Sequence, residues 1–136
     1  MSEESINAIN DDNIYVIENE NISVDLSILY EISGNDKNFV YRTVSAFLKN
    51  MPQTLNKIQQ SVSNLDWENV YFSAHSAKSS LFIIKAGDML DWMIRLEENA
   101  KNKVNLDNVS GLVKKIKEKY FFAEEILNDR FFKNNK

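Results

Sequence analysis

The chain contains no cysteine, so neither a disulfide framework nor a thiolate metal site is open to it. It has a single histidine. A zinc or iron centre would have to be built mostly from carboxylates, and metal chemistry is set aside on that ground. Glycine and proline are scarce, three and one in 136 residues. A turn-rich all-β fold needs more of both, whereas long helices need few. No run approaches the ~20 apolar residues of a membrane-spanning helix, and the acidic N-terminus has no signal-peptide core. A basic excess is also missing. Sixteen Lys and Arg stand against 20 Asp and Glu, a formal charge of −4, which argues against sequence-independent nucleic-acid binding. Phosphate loop, nucleotide fingerprint and kinase signature are all absent. With 43% hydrophobic and 26% charged residues, the expectation is a small, soluble, cytoplasmic all-α domain with one core.

What is present is helical periodicity. Residues 1–20 read as an N-terminal arm, polar at first, with a short β-prone stretch Ile14-Tyr15-Val16-Ile17; residues 21–136 read as the helical body. Asp25 to Ile32 makes a short helix with Leu26, Leu29 and Tyr30 as apolar points, ended by Gly34. Asn35 or Asp36 caps the next, whose row is Val40, Val44, Phe47, Met51, Leu55, Ile58 and Val62. Pro52 inside that row predicts a bend rather than a break. Asn64 or Asp66 caps a third helix running to about Lys85, with Ala86-Gly87 in a turn. Asp88 starts a fourth, with Met89, Leu90, Met93, Leu96 and Ala100 inward and a polar loop over Lys101 to Asn105. The last carries Val109, Leu112, Val113, Ile116, Tyr120, Ala123 and Leu127. These four long segments predict an antiparallel four-helix bundle, with a short extra N-terminal helix capping one open end and no sheet. Trp67, Leu81, Ile84, Leu90, Leu96, Val113 and Ile116 are expected in its core.

The third helix carries the histidine. Trp67, Val70, Ala74, Ala77, Leu81 and Ile84 form its buried row. His75 lies outside that row, on an adjacent stripe with Tyr71, Lys78 and Phe82, at the boundary between core and water. On spacing alone, an idle surface histidine with a lysine neighbour is the commoner occurrence.

The residues around it change that weighing. Ala74-His75-Ser76-Ala77-Lys78-Ser79-Ser80, followed by an apolar run and then Leu90 to Glu98, resembles the histidine-containing phosphotransfer (HPt) family. That family's pattern is His-x-x-Lys-Gly-Ser/Ala, a further Gly, then Leu-x-x-Leu-x-x-x-Leu-Glu. Ile32 to Asp36, the mid-helix pair Met51-Pro52, and Asp66-Trp67 before Val70 extend the resemblance over residues 25–128. Ser79 and Lys85 stand where the family usually has its glycines. The resemblance implies a phosphorelay intermediate. His75 accepts a phosphoryl group from a receiver-domain aspartate and passes it to another receiver, and Lys78 offsets the phosphate charge. Tyr71, Ser76, Ser79 and Phe82 would form the partner-binding surface, the small serines keeping the flanks low. The implied partners are response-regulator receiver domains and a hybrid sensor histidine kinase. No cofactor is implied for this chain, the divalent metal being expected on the receiver, and no autonomous kinase activity.

The alternatives are of other classes. One is an interaction module of the same fold that binds a signalling partner without carrying phosphate. Another is a metal-carboxylate bundle enzyme. That would want Glu-x-x-His on paired helices, and the position three before His75 is Phe72. Phe82, Trp92, Phe121 and Phe122 lie beside the main rows and read first as a broadened core stripe. Phe82 with Tyr71 can equally form an apolar patch around His75.

Overall fold

The computed structural model of the protein describes residues 16–18 and 22–132. Two short strands, β1 (Val16–Glu18) and β2 (Ser23–Asp25), lead into helix α1 (Ser27–Ser33). Three long elements follow: α2 (Lys37–Ser63), α3 (Trp67–Ile83) and, after the two-residue strand β3 (Lys85–Ala86), α4 (Met89–Asn102). A 3-10 turn, Leu106–Asn108, leads into α5 (Val109–Phe131).

The chain is predominantly helical, as the periodicity predicts, and local chemistry sets the helix ends. Gly34 closes α1 at φ 66°, where its N–H meets the Glu31 and Tyr30 carbonyls; without a Cβ it adopts that conformation at little cost. Asp36 accepts from the Phe39 N–H at 3.1 Å to cap α2, and Asp66 accepts from the Asn69 N–H at 3.2 Å to cap α3. Helix α2 runs unbroken through Pro52. Leu65, between α2 and α3, is left-handed at φ 57° and 69% exposed. That is an unusual place for a branched aliphatic residue.

Three expectations need correction. The absence of a sheet is the first: β1, β2 and β3 form a small antiparallel sheet in that order, with Val24 opposite Ala86 and Asp25 opposite Lys85. Val24 and Ala86 are both buried, and the sheet packs against α3, α4 and α5 at the edge of the helical core. The second concerns the end of α3, which stops at Ile83. Residues 85–86 are strand rather than helix end or turn, and the reversal falls on Gly87 at φ 55°. The third concerns Trp67 and Leu90, which are only partly buried against the core; each sits at the first turn of its helix, where one side faces the connecting loop. Within the β-prone stretch, Val16 and Ile17 fall in β1 and pair with Asp25 and Val24, while Ile14 and Tyr15 lie outside the described residues.

Leu81, Ile84, Leu96, Val113 and Ile116 are buried, as are all the inward points of α5. Helix α3 packs on α2 and α4, and α5 packs on the same two helices from the other side. Ala74 and Ala77 are buried in α3 and Ala100 in α4. Helices α3 and α4 pack directly on one another, which matters for what lies between them. Among the described residues no helix is long and apolar enough to cross a membrane.

Candidate functional site

Helix α3 holds His75 on its outer flank, with the side chain 57% exposed. Its Nδ1 lies 2.5 Å from Oε2 of Glu97, on α4. The other oxygen of the same carboxylate, Oε1, lies 2.7 Å from Nζ of Lys78. One carboxylate therefore bridges the imidazole and the ammonium that share a stripe of α3. Glu97 is 7% exposed. Burial pushes its carboxyl up, but the hydrogen bonds from Lys78 and His75 and their charges outweigh this. The group is held below its ordinary value and is ionised at neutral pH.

Ionisation of Glu97 assigns the ring. A carboxylate can only accept, so Nδ1 must carry the hydrogen, and in a neutral ring Nε2 then carries the lone pair. Nε2 has no hydrogen-bond partner among the described residues. The Tyr71 ring stacks one turn earlier, with centroids 5.7 Å apart and planes at 25°, restraining the imidazole from the side opposite Lys78. The imidazole is thus held at Nδ1 by Glu97 and along one side by Tyr71, on a side chain that is more than half exposed.

The surroundings are apolar and low. Phe72 and Phe82 are 55% and 52% exposed on α3, and Phe72 meets Tyr71 edge-on at 5.1 Å. Lys85 places its ammonium 5.6 Å from the Phe82 ring. Phe82 and Phe121 are thus exposed, whereas Trp92 and Phe122 pack against the core. Ser76 and Ser79 are both exposed; the Ser76 hydroxyl donates to the Ser73 carbonyl at 3.1 Å, and Ser79 makes no hydrogen bond to the ring. Among the described residues no group of three or more His, Asp or Glu could hold a metal ion.

The sequence singled out His75, Lys78, Tyr71, Ser76, Ser79 and Phe82; His75 and Lys78 meet α4 through Glu97 with Tyr71 stacked on the ring, whereas Ser76 lines a groove against α2. The sequence reading missed Glu97 and Phe72. The signal for Glu97 was available: a charge directly after the inward Leu96, matching the closing Leu-Glu of the family pattern. Comparisons with protein-family models, curated proteins and solved structures find no match to the chain.

Proposed function

We propose that the protein is a phosphorelay intermediate of the histidine-containing phosphotransfer type, with His75 as the phosphoacceptor. The single observation that carries this reading is the bridge from Glu97 to both His75 Nδ1 and Lys78 Nζ, which leaves Nε2 as the open nucleophile. An idle surface histidine has no need of a buried carboxylate to fix its tautomer. In the proposed step, the Nε2 lone pair attacks the phosphorus of a receiver's aspartyl phosphate. An N–P bond forms, the P–O bond to the aspartate breaks, and the aspartate leaves as a free carboxylate. The Nδ1 proton stays where it is, and Glu97 offsets the positive charge that the ring acquires. Lys78, 31% exposed, is within reach of solvent and offsets the charge of the phosphoryl group. The receiver's acidic pocket and its divalent metal supply the rest, since phosphoryl transfer is mainly positioning and electrostatics.

The finer architecture belongs to the same reading. Contacts of α2 with α3, α3 with α4, α4 with α5 and α5 with α2 support an antiparallel four-helix bundle, with α1 packed on α2 and α3. The exposed aromatics Phe72 and Phe82 flanking His75, with Tyr71 partly buried beside it, suit a receiver domain's apolar rim.

The test is transfer itself. The protein is mixed with phosphorylated receiver domains and acid-labile phosphate on the chain is followed. His75→Gln is expected to abolish uptake while the chain stays folded, since the glutamine amide can still donate to Glu97. Undiminished uptake by that variant, or no uptake by the wild type from any receiver, refutes the assignment.

A further inference from the structure

We propose that the cavity between the second half of α4 and the start of α5 binds a small polyol phosphomonoester. Glu97 points to α3, whereas Arg95 and Asn99 flank it at two residues' distance, about 200° around the helix. They share a cavity of about 510 Å³ with Asn105, Asp107, Asn108 and Lys115. That volume is within the roughly 300–1,000 Å³ of small-molecule sites and far exceeds a single phosphate.

Three observations converge there. Asn99 is 7% exposed, and its side-chain amide has no hydrogen-bond partner among the described residues; only its main-chain carbonyl is used, by the Val104 N–H at 3.1 Å. Buried amides are nearly always partnered, so one that lines a cavity without a partner points to a ligand. Next, α5 opens onto the cavity without a side-chain cap: Asn108 occupies the cap position and makes no capping hydrogen bond. The Val109 N–H is taken by the Leu106 carbonyl of the preceding 3-10 turn; the positive end of a 23-residue helix still suits an oxyanion. Gly111 lines the same cavity, with open space where a Cβ would stand. Finally, Arg95 and Lys115 supply two cations with no carboxylate partner among the described residues, Lys115 resting 5.8 Å from the Trp92 ring centroid.

Asp107 narrows the class of ligand. Its carboxylate opposes a bare anion but accepts hydrogen bonds from hydroxyls, as do the carbonyl oxygens of the asparagine side chains. A phosphate at Arg95, Lys115 and the helix start, carried on a hydroxylated body facing Asp107, satisfies every one of these groups.

The site is independent of the phosphotransfer reading. The full ¹⁵N-labelled chain is titrated with glycerol phosphate and amide shifts are followed. Saturable shifts at Arg95, Asn99 and Asn108 to Leu112 are expected. Arg95→Gln and Asn99→Leu should each weaken binding about tenfold, the usual loss for one charge-assisted or buried contact. His75→Gln should leave binding unchanged. Arg95 is exposed, so its variant decides the matter even if Asn99→Leu does not fold. No saturable shift, or binding indifferent to Arg95→Gln, overturns the site. Inorganic phosphate binding as tightly as glycerol phosphate overturns the role given to Asp107.

Discussion

Glu97 and Asn99 stand two residues apart on α4 and are equally buried, at 7% exposure, yet their polar groups are treated in opposite ways. Both oxygens of Glu97 are taken up by α3, one by His75 and the other by Lys78. The Asn99 amide lines a cavity against α5 and is taken up by nothing in the described chain. Charge explains the difference. An ionised carboxylate removed from water must be paired within the fold, because its desolvation is far more costly than that of a neutral amide. A buried amide without a partner costs about 1–3 kcal/mol, which a folded domain can carry where a ligand later supplies the partner. One flank of α4 is complete as folded and the other is complete only when occupied.

The largest effect that would break this comparison lies on the complete flank. Glu97→Gln keeps the shape but removes the charge, and an amide can present its N–H₂ to Nδ1 and so favour the wrong tautomer. Outer partners of this kind typically account for tenfold to hundredfold in activity, so a drop of about that size in transfer rate is expected. A variant transferring at the wild-type rate would show that the bridge is structural only.

The smaller effect is at Lys78. Lys78→Ala leaves the nucleophile and its Glu97 orientation in place and removes one partly exposed cation. Such contacts are worth on the order of 1 kcal/mol, so the expected loss is about tenfold or less, measured as transfer rate or phosphohistidine lifetime. Raised salt should reproduce part of it by screening. The order of the two variants is the sharper test. Lys78→Ala falling below Glu97→Gln would make the ammonium, not the tautomer, the main contribution.

These two residues also mark where sequence reading stops. The row through Val70, Ala74, Ala77 and Leu81 was legible because helical periodicity is local, and it put His75 and Lys78 on the adjacent boundary stripe without any partner in view. Gly34, Asp36 and Asp66 were legible for the same reason, since each acts within one turn of its own helix. The bridge was not. It joins residues 22 apart in sequence through the relative register of two helices, which no local period reports. The carboxylate that engages the Lys78 ammonium was likewise out of view, since it comes from another helix. Part of β1 was legible as the β-prone Val16 and Ile17, but β2, β3 and the pairing escaped because two- and three-residue strands leave no period to read. Val24 and Ala86 meet only because α3 ends at Ile83 and turns the chain back.

The smallest expected effect concerns acid. The Glu97 carboxyl is held below its ordinary value of 4.5 in the folded protein. The unfolded chain therefore takes up the proton first as pH falls. The group stabilises the fold above its unfolded value, and that contribution is lost as pH drops through the lower, folded value. Asn99 does not titrate, so the α5-facing flank contributes nothing of this kind. Chemical denaturation of wild type and Glu97→Gln between about pH 6 and about pH 3 reads the carboxylate together with the two groups it touches, since groups distant from it cancel in the difference. The wild-type advantage should be full at the upper end and shrink toward the lower. A difference that stays flat across the range, or grows as pH falls, would mean that Lys78 and His75 do not stabilise the ionised carboxylate, and the contrast between the two flanks of α4 would lose its physical basis.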